Sequence, residues 1–118
     1  MSEQHVFTTE ENLSAARGTE FQANTAGTGS GAVATVAAVE GARHKVTDIH
    51  GWSDAAGLLQ LKQGTTVIWE VKVEADKPYF QSFPTPKVGA LSALVSATIS
   101  ASTSDCHVGL GGFSTKVN

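Results

Sequence analysis

Thr65-Thr66-Val67-Ile68-Trp69-Glu70-Val71-Lys72-Val73 is the stretch that decides the fold. Its side chains alternate. Val67, Trp69, Val71 and Val73 fall on one face, while Thr66, Ile68, Glu70 and Lys72 fall on the other, which is the two-residue period of a half-buried β-strand. Working outward, Ala32–Val39, Arg43–Trp52, Leu58–Lys62, Tyr79–Phe83, Ala93–Ser102 and Cys106–Phe113 have strand length and recur at the close spacing of an all-β sandwich or barrel. Glu40-Gly41-Ala42, Asp54–Gly57, Gln63-Gly64, Ala75–Pro78 and Thr103–Asp105 separate them with turn chemistry. No long helical pattern and no internal repeat interrupts the series. The expected fold is an antiparallel β-sandwich, jelly-roll-like, of seven to eight strands.

Two local irregularities carry further expectations. In Arg43–Trp52 the apolar Val46 and Ile49 stand three apart, so a bulge near Thr47-Asp48 is needed to turn both toward the core. Pro84-Thr85-Pro86-Lys87-Val88-Gly89 is stiffened by two prolines and reads as an extended crossing from one sheet to the other. Ala93, Val95, Ala97, Ile99 and Ala101 form an inner face of mostly small residues, suited to close approach of an opposing sheet. Cys106, Val108, Leu110 and Gly112 share a face in the last strand.

The 118 residues divide at Ala32. Residues 1–31 read as an N-terminal arm and flexible linker, and 32–118 as the sandwich domain. Glu3, Glu10, Glu11 and Glu20 against Arg17 place the whole net charge of −3 on the arm, because acids and bases cancel beyond it. A neutral body without a Lys/Arg cluster argues against a nucleic-acid-binding face. No apolar run approaches the roughly 20 residues of a membrane span, and the acidic start lacks the apolar segment of a signal peptide, so a soluble chain made in the cytosol is expected. Within the arm, Thr8 to Gly18 has an N-cap, a capping box closed by Glu11, and a glycine stop, the marks of one short helix. Two turns are marginal alone, so the helix needs a surface to pack on. Val6, Phe7, Leu13 and Phe21 are its candidate partner-binding anchors, and Asn24–Gly31 has linker composition.

The chain offers little chemistry. Cys106 is the single cysteine, which rules out an intrachain disulfide, and it reads as a small buried hydrophobe. His44, His50 and His107 lack a third ligand fixed by spacing, and the expected bulge sends His44 and His50 to opposite faces, so no metal site is assigned. Asp48, His50 and Ser53 lie too close in sequence to converge as a triad, and no oxyanion-hole element accompanies them. Gly109-Leu110-Gly111-Gly112 lacks the lysine and helix of a phosphate loop, and reads as a strand that bends or meets another backbone closely. No catalytic residue and no cofactor is assigned. Leu58 and Ile68 on polar faces, with Trp52 beside a turn, are the possible interface residues.

The segment Gly41–Ile49 leading to Trp52-Ser53, the step Gln63-Gly64-Thr65-Thr66-Val67, Phe83-Pro84, the strand Val95–Ser102 and the closing Val108-Gly109-Leu110-Gly111-Gly112 occur in series. Over about Val33–Phe113 this order resembles small structural proteins of tailed bacteriophages, particularly head decoration (cement) proteins and related tail-fibre modules. Ser104-Asp105-Cys106 stands where such proteins usually have a Gly-rich turn. The resemblance implies a non-enzymatic virion protein, made in the host cytoplasm and carried on the capsid exterior, that clamps neighbouring major capsid subunits and associates with itself, as a homotrimer in preference to a dimer. The rival reading is a carbohydrate- or receptor-binding module with Trp52 and Tyr79 as stacking residues.

Overall fold

Strand propensity and turn chemistry produce eight strands in the computed structural model, which describes residues 18–28, 31–100 and 105–116. They are β1 (Thr19–Thr28), β2 (Ala32–Val36), β3 (Ala42–Ser53), β4 (Gly57–Gln63), β5 (Thr66–Val73), β6 (Tyr79–Val88), β7 (Val95–Ser100) and β8 (Asp105–Lys116). One sheet has the order β1-β8-β3-β6 and the other β2-β7-β4-β5, with every described pair antiparallel. Apart from the β4–β5 hairpin, each connection passes from one sheet to the other. This is the jelly-roll arrangement of an eight-stranded sandwich.

The core lies between the inner faces. Ile49, Leu59, Leu61, Val46, Val95, Ala97 and Leu110 are fully buried there. Each large aliphatic side chain so enclosed contributes about 1.5–3 kcal/mol from water exclusion. The bulge in β3 is present: pairing with β8 steps from Val46↔Gly112 to Asp48↔Gly111, leaving Thr47 as the extra residue. Val46 and Ile49 therefore both reach the core although they are three apart. His44 and His50 consequently face opposite ways, His44 inward and buried, His50 outward.

Four sequence expectations need correction. Asn24–Thr28, expected to be linker, completes β1, whose ten residues pair with β8 from Thr19↔Ser114 to Thr28↔Asp105. Composition marked these residues as flexible, but the backbone ladder does not depend on side-chain size. Phe21, expected to be an arm anchor for a partner, points inward and packs against this chain's own core. Ile68, expected to face a neighbouring subunit, is the extra residue of a second bulge, where pairing steps from Leu61↔Trp69 to Lys62↔Val67. Ile68 thus packs at the core margin, while Val67 turns outward and is 39% exposed. Residues 84–88, expected to cross between the sheets, continue β6; the crossing is made by residues 89–94. Pro84 and Pro86 are accommodated because β6 is an edge strand and bows away opposite Thr47.

Candidate functional site

The outward residues of the β1-β8-β3-β6 sheet follow from its register. One row across the sheet is Ala26, His107, Trp52; the next is Asn24, Gly109, His50, Phe80; the next is Gln22, Gly111, Asp48, Ser82. The central strand β8 therefore presents backbone, not side chain, at Gly109 and Gly111. Its neighbours lean into the space. A Cβ on Gly109 would collide with Asn24 Oδ1 and with the His50 ring, and one on Gly111 would come within 2.9 Å of Asp48 Oδ1. A trough thus follows β8, with Asn24 and Gln22 on the β1 wall and His50 and Asp48 on the β3 wall; its floor is backbone at Gly111, while over Gly109 the Asn24 amide and the His50 ring fill the space a side chain would take.

Three adjoining depressions of about 480, 340 and 200 Å³ mark its course. The first lies over Gly111 beside Asp48 and Gln22. The second lies beside Asn24, His50 and His107. The third is lined by Trp52, Phe80 and His107. Trp52 and His107 pack with tilted rings, centroids 5.7 Å apart, and Phe80 is 66% exposed. At the opposite end Phe113 lies under the Lys45 ammonium at 5.7 Å. From His107 to Phe113 the strand covers about 20 Å.

A second feature is the end of the sandwich that gathers the β2–β3, β4–β5 and β6–β7 connections. Five large apolar residues near it, Val39, Val67, Val88, Leu91 and Leu94, are between 38% and 48% exposed. Backbone hydrogen bonds hold the loops together: Gly64 N–H donates to Leu94 O, Ser92 N–H to Ala42 O, and Gly41 N–H to Ser92 Oγ. Ala90 N–H donates to Gln63 Oε1 at 2.7 Å. Gly18, where the described chain enters β1, sits against Ser114 and Thr115 at this same end.

The expected site residues do not gather in one place. Val6, Phe7 and Leu13 lie outside the described residues, as does the expected helix short of Gly18. Leu58 is half-buried on β4, with its N–H donating to Ser100 Oγ, and belongs to the second sheet. Trp52 belongs to the outer face of the first sheet and forms part of the trough. Tyr79 lines the depression at Trp52 but packs inward against Trp69, ring centroids 6.2 Å apart, and donates its hydroxyl to Gln81 Oε1, so the exposed aromatic of β6 there is Phe80. Ser53 is buried and accepts from Ala55 N–H, turned away from His50. His44 is held by Ala37 O at 2.8 Å from Nε2 and Ser114 Oγ at 2.6 Å from Nδ1. A carbonyl only accepts, so Nε2 carries a proton, and Nδ1 pairs with the serine hydroxyl. Among the described residues no three His, Cys, Asp or Glu side chains group as metal ligands. No described helix is long and apolar enough to cross a membrane.

Sequence reading missed the trough's walls. The signal was present as His107-x-Gly109-x-Gly111, where alternate outward positions of a strand lack side chains, but it becomes a groove only once β8 is known to be central.

No family model and no curated protein matches the sequence. Among solved structures, the insecticidal delta-endotoxin Cry8Ea1 from Bacillus thuringiensis is similar over 80% of this chain, with 14% identity and a TM-score of 0.49. The chain covers 20% of that protein, and a likeness of this degree carries no functional argument.

Proposed function

We propose that this chain is a non-enzymatic decoration protein of a phage capsid, seated on the shell by its apolar end and clamping neighbouring major capsid subunits. The observation that carries this reading is the concentration of Val39, Val67, Val88, Leu91 and Leu94 at the end where the chain enters β1. Singly exposed apolar residues are ordinary, but several on tied loops at one end form a contact surface. The acidic residues 1–17 precede Gly18 in sequence and belong, on this reading, to the same attachment. The resemblance of the motif order to head decoration proteins supports the choice of partner, and repetition over a symmetric shell strengthens weak contacts through multivalency. Self-association, a trimer in the first instance, belongs to the same reading.

The test is addition of the purified full chain to shells lacking it, followed by electron microscopy. Density is expected on the head exterior, and Leu91→Ser with Leu94→Ser is expected to abolish it without lowering the thermal midpoint. Binding along a tail, or undiminished shell binding by the double variant, would count against the proposal.

A further inference from the structure

We propose that the trough over β8 is a binding site for a neutral oligosaccharide. It lies on the outer face of the first sheet rather than at the apolar end, so the inference is independent of how the chain is attached.

Four observations fix the class of ligand. First, the floor is open backbone at Gly111, between Gln22 and Asp48, while over Gly109 the Asn24 amide and the His50 ring lie close against the sheet and present their polar atoms there. Second, the walls carry short hydrogen-bonding groups, Asn24, Gln22, His50 and Asp48, repeated along each strand every second residue, about 7 Å apart. Mixed donors and acceptors at that spacing match hydroxyl groups presented along the edges of successive sugar rings. Third, the end formed by Trp52, His107 and the exposed Phe80 offers an apolar aromatic surface with polar atoms beside it. The C–H face of a pyranose packs on such a surface while its hydroxyls stay hydrogen-bonded. Fourth, the residues lining the three depressions include the Asp48 carboxylate and no lysine or arginine, and the Lys45 ammonium lies outside them, over Phe113. A phosphate- or sulfate-bearing polymer would meet Asp48 with no cation along the lining to pair with.

Alternative occupants fit less well. An extended peptide binds a sheet by adding a strand at an edge, but β8 is hydrogen-bonded on both sides. A lipid chain would leave the Asp48 carboxylate and the amide walls without partners.

The experiment is an amide NMR titration of the full chain with cellopentaose, β-1,4-mannopentaose and β-1,4-galactopentaose, with a heparin hexasaccharide as the anionic comparison. At least one neutral pentasaccharide is expected to saturate, with the largest shifts at the Gly109 and Gly111 amides and the Trp52 indole. Phe80→Ala and Asp48→Ala are expected to weaken that binding by about tenfold or more each, with the thermal midpoint retained. Both variants should still bind shells, whereas Leu91→Ser with Leu94→Ser should lose shells and keep the sugar. The proposal is overturned if no neutral pentasaccharide shifts these amides. It is equally overturned if only heparin binds, if neither variant changes the affinity, or if the face proves to be buried by a second copy of the chain.

Discussion

Phe21 meets the ring of His44 edge-on, with centroids 5.4 Å apart and planes at 73°. The contact joins β1 to β3 across the intervening β8. His44 in turn holds Ser114 and the carbonyl of Ala37, so one buried imidazole ties three parts of the chain together.

Truncation separates the two halves of the first 31 residues. Removing 1–17 is expected to leave the thermal midpoint within a few degrees of the full chain. Removing 1–31 deletes β1, bares one edge of β8 and uncovers His44, so the protein should fail to unfold cooperatively in a circular dichroism melt. Phe21→Ala alone should cost about 2–4 kcal/mol in urea unfolding.

Substitution along β5 reads out the second bulge. Trp69 packs against Tyr79 and, edge-on at 5.4 Å, against Phe83. Trp69→Ala should therefore cost about 2–4 kcal/mol, the lower part of the range reflecting its half-buried state. Val67→Ala, two residues away, should stay within about 0.5 kcal/mol of the parent. Equal losses at both positions would mean that Ile68 is not the extra residue.

Ile68→Ser distinguishes a core-margin residue from a subunit contact. Sedimentation equilibrium of the variant should give the same mass as the parent, a trimer on the proposed reading, while urea unfolding shows a loss of about 1–3 kcal/mol. A variant that becomes monomeric at unchanged stability would return Ile68 to an interface.

Cys106 is fully buried, and its thiol donates to Gly27 O at 3.6 Å. Burial pushes its pKa above the ordinary value, and Asp105 and Asp54 add to the rise against the lowering effect of the Gly27 contact. A raised folded-state pKa means that the folded chain holds the proton more tightly than the unfolded one. The resulting stability is complete below the unfolded value of about 8.5 and is lost as pH rises through the folded value. Native protein at pH 8 should label with a thiol reagent only at its opening rate, and the urea midpoint should fall in alkaline solution less for Cys106→Ala than for the parent.

Much of the architecture was legible because burial imposes a two-residue period on strands. Val46 and Ile49 even located the β3 bulge, since no regular strand buries both. The bulge at Ile68 was hidden by the opposite circumstance: Val67 and Ile68 are both apolar, so either parity looked acceptable. β1 was missed because its residues are small and polar; the paired backbone that holds it leaves no mark in composition. The trough was illegible for a related reason. Trp52 and the glycines were visible as residues, but Asn24, Asp48 and Gly109 become neighbours only through the order β1-β8-β3, which places the first and last described strands side by side.

That order also governs how the protein is made. β8 leaves the ribosome after the other seven described strands, yet it is the inner partner of both β1 and β3. Until residues 105–116 emerge, β1 has no ladder to join and β3 lacks one of its two partners. The first sheet must therefore assemble after synthesis has passed β8, by contacts spanning almost the whole described chain, which is the regime of slow folding and exposed strand edges. Growth temperature and chaperone supply should consequently set the yield of soluble protein more strongly than its final stability does.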